Sequence, residues 1–387
     1  MHGRRVFAAG AALWLSRAAL AAPVNSGALP DSVVQLVEND LSESATDTWV
    51  AGTQMEALLE LDYPSCSVFS SASYPPSSSE APAKVQTIVK NWAGQRSSDG
   101  TQFAYVNGGA AADPAALGVG WLVAAAFADA QTNATYLAQV KQEVGYLLNS
   151  VPRTQDGAIS HRPPGEPVSL WADFISMVPP FLAYYSVATA DKSYLSEAYD
   201  QIKLYRSYLK SDSGAWKHIV LGDGQDAGLW NTGNGWAAHG SLRVLATMKN
   251  SQWSADFTTE IADLTSWVQE ILGAALQKIK RDGLLPNYYD SASGSYFSDA
   301  SGSALLAASA YRLAQIANDS SFVSKADTVR TAVFAAVSSS TGWVASVVDP
   351  LSFKAQASES PEAEAFVLLL QAAYRDYLAS PAATASP

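Results

Sequence analysis

Cysteine, histidine and charge are all scarce in this chain. Of 387 residues only Cys66 is a cysteine, so no intramolecular disulfide can form and packing alone must hold the fold. A reactive thiol is the other reading of that residue. Charged residues make up 16% of the chain against 48% hydrophobic, and 11 Trp, 17 Tyr and 12 Phe supply ample apolar surface, which rules out disorder for most of it. The charge present is acidic. Lys and Arg number 24 against 36 Asp and Glu, a balance of −12 that repels phosphate backbones and argues against a nucleic-acid partner. The sequence has no Gly-rich phosphate loop, no paired-histidine zinc spacing and no Gly-x-Ser-x-Gly elbow.

No segment offers the roughly 20 uninterrupted apolar residues that a membrane span needs. The start of the chain reads differently. Met1-His2-Gly3-Arg4-Arg5 is basic, Val6 to Leu15 is apolar, and Ala19-Leu20-Ala21 is a small-x-small cleavage site before Ala22-Pro23. This pattern predicts a secretory signal peptide over 1–21 and a mature protein outside the cell. Two Asn-x-Ser/Thr sequons, at Asn133 and Asn318, fit that route.

Beyond the signal, apolar residues recur at helical spacing over 31–44, 47–62, 84–93, 114–130, 133–149, 169–189, 192–210, 233–248, 255–280, 302–317, 320–338 and 361–379. Turn-rich stretches such as Ser211-Asp212-Ser213-Gly214 separate them, and period-two alternation is rare. The pattern predicts an all-α protein of repeated helical hairpins. So many hairpins cannot form a four-helix bundle, but they can close into a ring whose inner helices are apolar nearly all round. The competing open solenoid would show a fixed repeat length, which is absent. Ser70–Pro82 reads as a polar, Pro-rich loop, and 22–387 as one domain.

Three histidines remain after the signal: His161, His218 and His239. The densest cluster of reactive types runs from Ser160-His161-Arg162 to Trp171-Ala172-Asp173-Phe174. Two readings fit Asp173. It could favour the dipole of the helix that follows, or it could be an acid whose proton affinity is raised by Trp171 and Phe174. Asp113 before Pro114 has the signature of a helix cap; as a second acid it would also suit glycoside chemistry, which uses one carboxyl to protonate and another to handle water. Trp216-Lys217-His218 and Trp230 to Trp236 place aromatics beside glycines, suited to stacking on sugars or to plain packing. Asn234, between two glycines, fits a tight turn into a helix, and His239 a satisfied packing position.

The string Trp171-Ala172-Asp173-Phe174-Ile175-Ser176-Met177-Val178-Pro179-Pro180-Phe181 resembles the Trp-x-Asp…Met…Pro-Phe segment of the unsaturated rhamnogalacturonyl hydrolases. These are six-hairpin glycosidases of glycoside hydrolase family 105, related to the unsaturated glucuronyl hydrolases. The order of Asp113, His161, His218 and Trp230-x-x-Gly-Asn-Gly-Trp236 agrees with that family, as does the helix start Ser298-Asp299-Ala300-Ser301-Gly302. The resemblance implies an (α/α)6 barrel with a pocket at one end. It implies hydration of the 4,5-double bond of an unsaturated uronic acid, with Asp173 and Asp113 catalytic. His161, Arg162, Trp171, His218, Trp230, Thr232, Asn234 and Trp236 would contact an oligosaccharide. No metal or organic cofactor is implied, and a monomer is the favoured state. One position departs. The family's Arg in the Trp-x-Arg element is Thr232 here, which removes a bidentate contact to the uronate and leaves Arg162 and Lys217 as candidate cations. A six-hairpin glycosidase or lyase acting on a different glycan, a neutral one included, or sugar binding without turnover, are the alternative functions.

Overall fold

The computed structural model describes residues 27–70, 80–96, 102–103, 109–290 and 296–384. The expected signal peptide and most of the Pro-rich loop lie outside them. Among the described residues twelve helices alternate between an outer and an inner position: α1 (Asp31–Ser44), α2 (Thr48–Leu61), α3 (Ala83–Ala93), α4 (Gly118–Ala126), α5 (Ala130–Asn149), α6 (Phe174–Thr189), α7 (Ser193–Leu209), α8 (Asn231–Asn250), α9 (Thr258–Ala275), α10 (Ala300–Ala317), α11 (Val323–Ala336) and α12 (Pro361–Leu378), with each odd-numbered helix packed on the even-numbered one before it and α1 on α12. A short α13 (Pro381–Thr384) follows. The even-numbered helices pack side by side, α2 on α4, α4 on α6, α6 on α8, α8 on α10 and α10 on α12, and α12 returns to α2. The ring is therefore closed, as expected of an (α/α)6 barrel.

Composition explains which helix goes where. Outer helices such as α1 bury a single stripe, Val33, Val37 and Leu41, and present polar residues elsewhere. Inner helices are buried on nearly every side, as α10 is from Ala300 to Ala314. Two glycines permit the closest approaches. A side chain at Gly240 would strike the backbone of Ile175 and Ser176 on α6, and one at Gly302 would sit 2.6 Å from Thr232 N on α8.

Several boundaries differ from the periodicity, for local reasons. Leu170–Trp171 is extended and pairs with Ile219–Val220, so α6 starts only at Phe174. The stretch after Asp113 opens as a 3-10 turn, Asp113–Leu117, before α4 takes over. Two further two-residue ladders, Leu285–Pro286 with Ser298–Asp299 and Val347–Val348 with Gln356–Ala357, tie loops at the same end of the barrel. All inner helices start at that end, which gathers their N-terminal residues Asp47, Asp113, Asp173, Trp230, Asp299 and Glu362 around the barrel axis.

Candidate active site

A cavity of about 420 Å3 opens where these N-termini converge, within the size range of small-ligand pockets. Its wall includes Asp47, Trp49, Asp113, His161, Arg162, Trp171, Asp173, Met177, Trp230, Phe353 and Glu362. Leu351, 74% exposed, sits at its edge on the loop between the last two strands. A larger cavity, about 590 Å3, lies at the opposite end among Phe69, Lys249, Asn250, Ile316 and Asp376. Its acid, Asp376, is already paired with Arg312 and Arg375, so acid-base chemistry belongs to the first cavity.

Asp173 occupies the residue before α6, but its side chain makes no capping bond. Its Oδ2 is buried without a hydrogen-bond partner, 3.5 Å from His218 Nε2. Burial raises its proton affinity, and His218 opposes that rise. Behind it, fully buried His218 turns Nδ1 toward Asp226 Oδ2 at 3.3 Å. Asp226 also accepts from the Tyr288 hydroxyl at 2.5 Å and from Gly228 N at 3.1 Å, with Lys354 Nζ at 3.7 Å. Burial alone would raise Asp226, but the bonds from His218, Tyr288 and Gly228 prevail and hold it below the usual carboxylate range. An ionised carboxylate only accepts, so Nδ1 carries a hydrogen toward Asp226 and the ring is held with Nε2 turned to Asp173.

Asp113 does not cap its helix either. It faces the cavity, where burial first, and then the charge of Asp173, push it up to about 7. His161 Nε2 lies 3.6 Å from Asp113 Oδ1, and its ring stacks on Trp171 with centroids 4.7 Å apart. Burial drives His161 down to about 3, so it is a neutral imidazole here. Arg162 lines the wall, is held by Glu166 at 2.7 Å, and stands 5.9 Å from the Trp171 ring centroid. Trp230 and Phe353 close over His218, with centroids 4.4 and 4.5 Å from it.

The structure brings Asp113, His161, Arg162, Trp171, Asp173 and Trp230 onto one wall, with His218 directly behind it. It does not bring Thr232, Asn234 or Trp236 there. The Thr232 hydroxyl donates to Asp299 Oδ2 inside the barrel. Asn234 clamps the Trp216 backbone at both N and O and also donates to Trp230 O. Trp236 is buried against Phe366. Their expected substrate contacts are replaced by internal ones. Lys217 is half-buried and does not line the cavity. His239 is buried, but both ring nitrogens lack hydrogen-bond partners, so it packs without being satisfied. Among the described residues no group of three metal-binding side chains assembles and no helix is long and apolar enough to cross a membrane.

Sequence reasoning missed Glu362, Asp226, Asp47, Trp49 and Phe353. Glu362 follows Ser360-Pro361 as an acid in a first helical turn, which reads as ordinary helix chemistry. Asp226 sits in a Gly-rich turn whose partner Tyr288 is 62 residues away.

Residues 39–342 match the model of Glycosyl Hydrolase Family 88, and the chain belongs to that family of glycosidases. A possible family 105 glycoside hydrolase from Klebsiella pneumoniae superposes with a TM-score of 0.70 at 16% identity, over 94% of this chain and 96% of that one. A family 105 enzyme from C. acetobutylicum gives 0.68 at 12% identity over 89% and 99%, and the unsaturated glucuronyl hydrolase of Bacillus sp. GL1 gives 0.62 at 15% over 88% and 94%. No curated protein matches. The protein is thus a glycoside hydrolase of the six-hairpin type, and its substrate is an oligosaccharide.

Proposed function

We propose that the protein hydrates the 4,5-double bond of an unsaturated uronic acid at the non-reducing end of a polysaccharide fragment such as those from pectin. One observation carries this reading: a buried carboxyl, Asp173, whose Oδ2 faces His218 and lacks a hydrogen bond, beside a second acid, Asp113, in the same cavity. Hydration needs one group that is an acid and then a base. Asp173 delivers its proton to C4 while positive charge develops at C5 and the ring oxygen. Water adds to C5 and gives up a proton to the Asp173 carboxylate, and the resulting hemiketal opens to release the neighbouring sugar. His218, held in place by Asp226, favours the carboxylate form of Asp173 between the two proton transfers, and Asp113 orients the water and ring hydroxyls. Trp171 and Trp230 give the sugar apolar walls. The N-terminal pattern supports secretion.

The test is loss of ultraviolet absorbance when the protein meets lyase-digested pectin and other unsaturated uronates. Asp173→Asn should lower kcat by roughly a thousandfold with little change in Tm, the scale of losing a general acid. No decay with any unsaturated oligomer would discard the reading. A second reading, a neutral glycan, is favoured by the internal position of Thr232. Release of reducing sugar from saturated neutral oligomers would support it.

A further inference from the structure

The cavity holds a third acid that the proposed reaction does not use. Glu362, in the first turn of α12, is 3% exposed and lines the cavity. Its Oε2 accepts the indole N–H of Trp49 at 3.1 Å. Its Oε1 is buried and has no hydrogen-bond partner. No cation pairs with it among the described residues. The groups facing it from neighbouring elements are Asp173, Asp299 and Asp113, all acids, with Asp47 on the same wall. Among the described residues that line the wall, Arg162 is the cation, and it is engaged by Glu166. A carboxylate set among other acids in a buried site is the costly state, and a neutral acid with one O–H to donate is the affordable one. Because Oε2 takes the Trp49 N–H as a carbonyl oxygen would, the hydrogen belongs on Oε1 and has no acceptor within the protein.

We propose that Glu362 is a specificity-determining residue which, as a neutral acid, donates its Oε1 hydrogen to the carboxylate of the bound uronic acid, doing the work of the absent guanidinium at position 232. The inference rests on the uronyl reading above and deepens it. Burial first, and then the charge of Asp173, push Glu362 up to about 8, so the donor form prevails in neutral and mildly acidic solution. A neutral acid hydrogen-bonded to a carboxylate makes a short charge-assisted contact, and its affinity ends where the proton is lost. An arginine would hold the same group at any pH in that range.

The test measures binding without turnover, by quenching of tryptophan fluorescence in an Asp173→Asn background. The probes are a lyase-made unsaturated uronyl disaccharide and its counterpart with the carboxyl reduced to an alcohol. Glu362→Ala should weaken the uronyl disaccharide about 10- to 100-fold and the reduced one far less. Affinity for the uronyl disaccharide should also fall as pH rises toward 8 with Glu362 in place, the fall setting in somewhat lower than in the unaltered chain because Asp173→Asn removes one of the charges that raise Glu362. Glu362→Gln, whose amide can both accept from Trp49 and donate, should restore the affinity and remove that fall. Equal weakening of both sugars by Glu362→Ala, a Glu362→Gln variant as weak as Glu362→Ala, or affinity flat from pH 6 to 9 would each overturn the proposal. If Glu362→Ala does not fold, Glu362→Gln and the pH series decide alone. The ultraviolet assay on the otherwise unaltered enzyme reports separately whether the uronyl reading itself stands.

Discussion

Two sets of buried carboxyl groups lie in one barrel and are handled in opposite ways. Midway along the inner ring, Glu56 meets Arg243, and Glu60 receives two bonds from Arg312, at 2.6 and 3.2 Å. Asp376 accepts from the same guanidinium at 2.7 Å. At the mouth, Asp113, Asp173 and Glu362 share a cavity and none meets an Arg or Lys within ion-pair distance. The first set ties helices α2, α8, α10 and α12 to each other across the axis; opposite charge offsets part of the cost of burial, although burial still raises Glu56, to about 7, and Glu60. The second set has no such offset, and burial raises all three acids. Burial without a counter-ion makes an acid a store of hydrogen, which is what an enzyme that must protonate carbon requires. Location decides the role: the same residue type is a tie where a guanidinium reaches it and a reagent where none does.

The contrast is broken most severely from the paired side. Arg312→Met leaves Glu60 and Asp376 buried with less compensation and should cost about 3–5 kcal/mol of stability, read by denaturant unfolding. Replacing Glu60 and Arg312 together by Leu and Met should recover much of that loss, because the pair and an apolar core of similar volume are nearly equivalent. If the single variant unfolds no sooner than the parent, the guanidinium is not a tie.

The unpaired side is tested by pH. Asp113 is raised to about 7, and Glu143, Glu362 and Glu364 to about 8, chiefly by burial, and Glu56 on the paired side is raised to about 7 as well. A carboxyl with a raised pKa binds its proton more tightly folded than unfolded. Its stabilisation is complete below the unfolded value and is lost as pH rises through the folded one. Each such group removes up to about 1.4 kcal/mol per pH unit in that window. Asp226 and Glu270 are lowered and lose their contribution only in stronger acid. Stability should therefore peak near pH 5 and fall by a few kcal/mol by pH 8, visible as a declining Tm. A Tm that rises across that interval would mean that these buried acids are ionised in the fold, and loss of part of the decline in Glu362→Gln would assign that part to the mouth.

A finer distinction lies inside the mouth. Asp226 is an ionised acid that touches no cavity space, and it acts through His218 by fixing which ring nitrogen faces Asp173. Asp226→Asn should lower kcat by about 10- to 100-fold with KM within about threefold, the pattern of a lost transition-state contribution. A rise in KM at constant kcat would assign Asp226 to substrate binding instead.

How much of this was legible beforehand follows from the range of each interaction. Helix positions follow from spacing within one segment, which is why α1 and α12 begin where periodicity places them, at Asp31 and Pro361. The ring followed from the number of such segments. Asp173 was legible because its neighbours Trp171 and Phe174 are adjacent in the chain. The roles of Asp226 and Glu362 were not, because each depends on a partner set by closure of the ring: Tyr288 in one case, and in the other Trp49, 313 residues away. Thr232, Asn234 and Trp236 failed in the other direction. A motif fixes the order of residues along α8, but which of them face the axis depends on how the helix is rotated against α10.

Thr232 is where that rotation can be checked at least cost to the protein. Its hydroxyl donates to Asp299 Oδ2 at 3.1 Å, alongside Asn231 Nδ2 at 2.8 Å and the N–H of Gly302 at 3.0 Å, so Asp299 has other donors to rely on. Thr232→Val keeps the shape and deletes one buried bond to an acid with three other donors, including Ser301 N–H. It should cost about 1 kcal/mol of stability and leave KM for an unsaturated uronyl oligomer unchanged. A Thr located on the substrate face would behave oppositely, with stability unaltered and KM raised. The two readouts, a melting curve and a saturation curve on the same variant, place the Thr232 side chain on one face of α8 or the other.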